Sequence, residues 1–291
     1  MTPSSQATPW AVPRTAEWIL RCGVMMVFLG HGMLGFGRPA PWAAYFGVVG
    51  IGRDTAYGLM PWVAVLDLSM AAVALFYPLR SFLLFMTAWT VWTALLRPLS
   101  GEPLWEAIER AGNYGAPLGL LLILGGKGFS RGSLVLRSLS VTRMRVLHWT
   151  LRLSTFALLL GHGALGILTR KALLAAHYSS IGLPGAAVEP WVGGFEMLLA
   201  VAVLAKPSVG LLVFVFAWKL ATEVLNPIAG SLFWVFVEHG GSYAAPLALA
   251  YFQLSCRPDQ ARTEGLPAAD AFRSGLNDPS GTSQIGCEGC G

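Results

Sequence analysis

The sequence predicts an all-α integral membrane protein. Eight transmembrane helices form two parallel-repeated four-helix bundles, with short interfacial helices on the outer side. Three observations predict it. The 291-residue chain is 55% hydrophobic and only 12% charged, with a mean hydropathy of +0.59. Its apolar runs approach the ~20 residues a helix needs to cross a bilayer, with charges gathered at their ends. Four sequence blocks also recur in the same order.

The repeat sets the organisation. GHGMLG at 30–35 returns as GHGALG at 161–166, and PWVAVLDLSMA at 61–71 returns as PWVGGFEMLLA at 190–200. WTVWTALLRPLSG at 89–101 returns as WKLATEVLNPIAG at 218–230, and ERAGNYGAPL at 109–118 returns as EHGGSYAAPL at 238–247. The offset is 131 residues for the first pair and 129 for the rest, so one short indel accounts for all four. Chance matches do not keep order and spacing in this way.

The predicted spans are 18–36, 59–77, 80–97 and 105–125, then 148–169, 188–205, 208–226 and 233–254. An even number of spans per copy gives both copies the same orientation, related by an axis along the membrane normal. The chain thus divides into a polar N-terminal tail (1–17), a first unit (18–126), a basic linker (127–147), a second unit (148–256) and a polar tail (257–291). The loops after the first and fifth spans are too short to cross and too apolar to float free, and are expected to be short interfacial or re-entrant helices.

Loop charges give the orientation. One side carries Arg14, Arg80, Arg143, Arg145, Lys206 and six further basic residues of the linker and tail; the other carries six, with most of the loop acids. The basic side is expected in the cytoplasm, which places both termini inside and the protein in the plasma membrane. The net charge of +5 is read as this bias rather than as nucleic-acid binding. No cleavable signal is expected in the polar, Pro-rich start MTPSSQATPWAVPR. The four cysteines, Cys22, Cys256, Cys287 and Cys290, do not form a disulfide framework.

Ionisable residues inside the bilayer are costly and mark candidate sites. Counting helical rise, His31 lies roughly 20 Å above the inner start of its span, and Asp67 roughly 9 Å below the outer start of the next. In a core of about 30 Å the two depths agree. His162 and Glu196 agree likewise in the second unit. Each pair could shuttle protons, ligate haem or metal with the acid behind it, bond a quinone carbonyl, or lock two helices together. Haem is disfavoured, since each histidine sits in its own unit. Lys219 and Glu223, four apart on one face, stand where the first unit has Thr90 and Ala94. Burial of such charges points to the second unit as the better candidate for an active site.

Arg21 and Arg152 either snorkel to the headgroups or anchor an anionic substrate or lipid. Glu109 and Tyr114 match Glu238 and Tyr243, either as an amphipathic helix entry or as a polar gate over the His–acid pairs. His177 is expected on the surface of the outer loop. Cys287 and Cys290 form a C-x-x-C that could share a metal with a partner, exchange thiols, or do neither. Phosphate loops, H-E-x-x-H and nucleophile elbows are absent.

An Arg opening the first span, the GHG-x-L-G ten residues on, the YFGVVGIG or YSSIGLPG loop, the acid after PWV and the Tyr-Gly/Ala-Ala-Pro-Leu turn together resemble the DoxX family of four-helix membrane proteins. The resemblance covers both units and excludes the tails. It implies a redox-associated subunit that interacts with quinone beside a soluble or membrane redox partner, as in thiosulfate:quinone oxidoreductases or oxidative-stress complexes. His31, Asp67, His162, Glu196, Lys219 and Glu223 would then be the chemical groups. Arg21, Arg152, Tyr114, Tyr243, Glu109 and Glu238 would be the cofactor-binding ones. Most relatives are single units, so the tandem is a departure. The alternative is a non-enzymatic transporter or assembly factor whose polar pairs are structural.

Overall fold

A computed structural model describes residues 10–124 and 138–255. Lys127, Arg131 and Arg137 of the linker, and Cys256, Cys287 and Cys290, lie outside the described residues.

The first unit runs through α1 (Arg14–Phe36), a short α2 (Trp42–Val48), α3 (Arg53–Phe76), α4 (Arg80–Leu99), α5 (Leu104–Glu109) and α6 (Ala111–Leu124). The second runs through α7 (Val141–Ala164, continued as a π turn over Leu165–Thr169), a short α8 (Ala172–Ser180) and α9 (Gly185–Ala205). It ends with α10 (Val209–Glu223), α11 (Leu225–Ile228), α12 (Phe233–Glu238) and α13 (Gly240–Ser255). A two-residue β1 (Trp10–Ala11) pairs antiparallel with β2 (Ser138–Leu139) and ties the first described residues to the entry of α7. Ser140 and Ser208 cap α7 and α10 by accepting from the Arg143 and Leu211 amides. Both loops expected to hold short helices do so, as α2 and α8.

Six helical stretches are long and apolar enough to cross a membrane: 14–36, 53–76, 80–99, 141–169, 185–205 and 209–228. Their outward faces carry large apolar side chains such as Leu84, Leu198 and Val201, which a protein surrounded by water rarely exposes in such number. Exposed tryptophans sit in two bands. Trp18 and Trp149 stand near the N-terminal ends of α1 and α7, and Trp62 (73% exposed) and Trp191 (82%) in the N-terminal halves of the antiparallel α3 and α9. Indole rings gather at membrane–water interfaces in this way.

The fourth expected span of each unit differs from a continuous helix. It breaks at Arg110, between α5 and α6, and at His239, between α12 and α13. The reason is close packing at the break. A Cβ on Gly112 would collide with the Ser242 backbone, and one on Gly241 with the Gly112 backbone. The two broken helices therefore touch glycine to glycine. Backbone freed by a break is tolerated at membrane depth only when other protein surrounds it. Here α1 and α7 cover it.

The two units exchange partners. Helix α1 packs on α3 of its own unit and on α12 and α13 of the other, while α7 packs on α9 of its own unit and on α5 and α6 of the first. The GHG motif explains why. Its first glycine lets the other unit approach: a Cβ on Gly30 would strike the Glu238 backbone, and one on Gly161 the Glu109 backbone. Its second glycine faces the next helix of its own unit, Gly32 against the Ala64 carbonyl and Gly163 against the Gly193 carbonyl.

One end of the molecule is an apolar plug. Leu20, Leu83, Leu120, Leu147, Leu212 and Leu249 meet there from six helices. The other end holds the buried His–acid pairs and the Lys219–Glu223 pair.

Candidate functional site

The four residues of the His–acid pairs meet as depth counting predicts. In the first unit His31 Nδ1–H donates to Asp67 Oδ2 at 2.7 Å. In the second, His162 bonds Glu196 through the same nitrogen. Each acid also has a partner that sequence reasoning missed. Trp89 Nε1–H donates to Asp67 Oδ1 at 3.0 Å, and Trp218 Nε1–H to Glu196 Oε1 at 3.0 Å. The signal was present, because both tryptophans open the same repeated block. Asp67 is 1% exposed and Glu196 0%. A buried carboxylate with one imidazole and one indole donor is satisfied without water.

Around these matched triads the units diverge. Lys219 Nζ lies 2.8 Å from Glu223 Oε1 and 3.9 Å from Glu196 Oε1, so the extra pair leans on the triad. Asn226 donates to Glu223 Oε2 at 3.1 Å. All of these side chains are buried. Thr90 and Ala94 replace the pair in the first unit, and there the space is open. A cavity of about 210 Å³ is lined by His31, Asp67, Trp89, Trp42, Phe46 and Trp92. Arg97, Arg110, Asn113 and Glu238 line its polar end. His31 stacks on Trp42, with ring centroids 4.5 Å apart. The buried charges that made the second unit the better candidate for an active site lie beside Glu196, and the cavity lies against the first unit's pair.

The cavity is not made by one unit alone. Arg110 donates through both terminal nitrogens to Glu238 Oε1 at 3.2 Å, and Glu238 comes from the second unit. A second contact of the same kind joins His239 Nε2 to Glu109 Oε1 at 3.4 Å. A base at the break of one unit therefore meets an acid of the other, twice. Lys171 reaches back to Glu106 at 2.6 Å, and Glu106 also meets Arg97 at 3.4 Å. Arg97 further pairs with Glu102 at 3.0 Å. Tyr45 on α2 donates to Glu102, and Arg97 lies over its ring. Burial pushes the Tyr45 phenol up to about 12 against the pull of Arg97, so it stays a donor.

Glu109, Glu223 and His239 lie close enough together to hold a metal ion. The surrounding bonds oppose this. The imidazole spends Nδ1–H on the Val235 carbonyl at 2.7 Å, and its two nitrogens face different carboxylates. The Lys219 ammonium already supplies the positive charge.

The remaining expected site residues lie apart from the cavity. Arg152 donates to the Val203, Leu204 and Ala205 carbonyls at the end of α9, and stacks over Trp149. Arg21 reaches the Leu75 carbonyl at the matching end of α3 and pairs with Glu17 at 2.6 Å. A cation at a helix C-terminus satisfies orphan carbonyls and the helix dipole. Tyr243 donates to the Phe236 carbonyl at 2.9 Å, and Tyr114 packs on the apolar core. His177, expected on the surface, is buried in α8, and burial lowers its pKa.

No protein-family model, no characterised protein and no solved structure matches the chain.

Proposed function

We propose that the chain is a DoxX-like protein of the plasma membrane whose first-unit cavity binds a quinone-type ring, in the service of a redox partner. The broken helices α5–α6 and α12–α13 serve as the fourth span of each unit, which makes eight spans in two parallel units with both termini on the cytoplasmic side. At 1.5 Å per residue, 104–124 covers about 30 Å, the thickness of the hydrocarbon core.

One observation carries the ring-binding reading: the His31–Asp67 pair forms a wall of an aromatic-lined space. Ligand sites between membrane helices are mainly apolar with a few placed polar groups. Trp42, Trp89 and Trp92 offer flat faces to a ring. Imidazole beside a carboxylate is the pairing suited to moving a proton near neutrality. The apolar plug at the opposite end favours a one-sided site over a transport path through the molecule.

The test is a lipid extract and a ligand titration of the purified protein. Quinone should co-purify, and added duroquinone should quench tryptophan fluorescence saturably. Trp42→Ala should weaken that binding about threefold or more, as expected for a lost aromatic contact in the cavity lining. An extract without quinone, together with a titration that never saturates, would sink the reading. The structural alternative has its own support in the second unit, where the His162–Glu196 pair is locked by Trp218 and Lys219.

A further inference from the structure

The second unit serves as a template for what the first unit's cavity accepts. Glu196 meets three donor groups: the His162 imidazole, the Trp218 indole and, at 3.9 Å, the Lys219 ammonium. Among the described residues, Asp67 meets only the first two kinds. The residue at the Lys219 position is Thr90, and its hydroxyl is turned back onto the Met86 and Thr87 carbonyls at 2.8 and 3.1 Å. It cannot serve Asp67. A carboxylate has about four lone-pair sites, so Asp67 keeps acceptor capacity where the cavity begins. Arg97 and Arg110 bring charge to the polar end, but Glu102, Glu106 and Glu238 already balance it.

We infer that the first-unit cavity takes a ring that presents a hydroxyl to Asp67, standing where the second unit has its own lysine. On the quinone-type reading above, on which this rests, the bound form is the reduced, hydroxyl-bearing ring in preference to the oxidised one. A quinone carbonyl facing Asp67 sets acceptor against acceptor. A quinol hydroxyl facing it makes a charge-assisted bond. The long side chain of Lys219 is the same solution built into the protein, an apolar stem ending in a donor.

The experiment is an anaerobic titration of the solubilised full chain with duroquinol and, separately, duroquinone, read by tryptophan quenching. Duroquinol should bind about tenfold tighter or more. Asp67→Asn replaces one acceptor oxygen by a donor and should bring the two affinities together. The double variant Thr90→Lys/Ala94→Glu copies the second unit's plug and should abolish binding of both ligands while keeping the wild-type thermal midpoint, which shows that the fold survives. Duroquinone binding as tightly as duroquinol, or tighter, overturns the inference and leaves the ring-binding reading standing. Binding of neither ligand to the wild type overturns both.

Discussion

At the scale of single residues, the pairing of Arg110 with Glu238 is the contact most open to test. Glu238 is buried and Arg110 only 14% exposed, so removing one partner of the pair strands the other charge at a cost of up to about 3–5 kcal/mol. Arg110→Met and Glu238→Gln should each lower stability by that order in a detergent unfolding titration. The double variant should cost less than the sum, because neither charge is then left alone. Additive losses would show that the two residues act separately. Gly30 and Gly161 make a matched test. Alanine at either should cost about 1–3 kcal/mol by overpacking, since the obstruction is backbone of the other unit. The His–acid pairs were legible from depth counting alone, because helical rise fixes height in a bilayer. The location of the open space was not. Which side chains leave room between helices depends on how the helices pack, and the spacing of charges along one helix does not carry that information.

At the scale of elements, six of the eight expected spans match helices long and apolar enough to cross a membrane, but the breaks at Arg110 and His239 were not legible. Hydropathy averages over a window and passes across a single turn residue. The cue lay in Gly112 and Gly241 beside a base in the middle of an apolar run. The short α8 supports a pH prediction. Its His177 is held in the neutral form by burial, so its folded pKa lies below its unfolded one. Stability from that residue is present above the unfolded value, near 6.5, and is lost as pH falls below it. The thermal midpoint should drop between pH 7 and pH 5, and His177→Phe should flatten part of that drop. An unchanged slope in the variant would show that α8 does not sense the proton.

At the scale of the whole molecule, the repeated blocks were legible and the exchange of partners was not. Repeated blocks report ancestry, whereas partner choice is set by small residues meeting at a crossing. Because α1 packs on α12 and α13, and α7 on α5 and α6, neither half can bury its first helix alone. Fragments 1–130 and 131–291, expressed together, should co-purify from detergent. Each expressed singly should aggregate or be degraded. A stable, monodisperse single half would count against the interlocked packing.

The base–acid contact that occurs twice between the units carries one more consequence. In a dimer of identical chains, any change in one copy appears in the other. With both units on one chain that constraint is absent, so Arg110 can stand where the other unit has His239, and Thr90 where it has Lys219. One unit is free to change its lining while the other keeps its own.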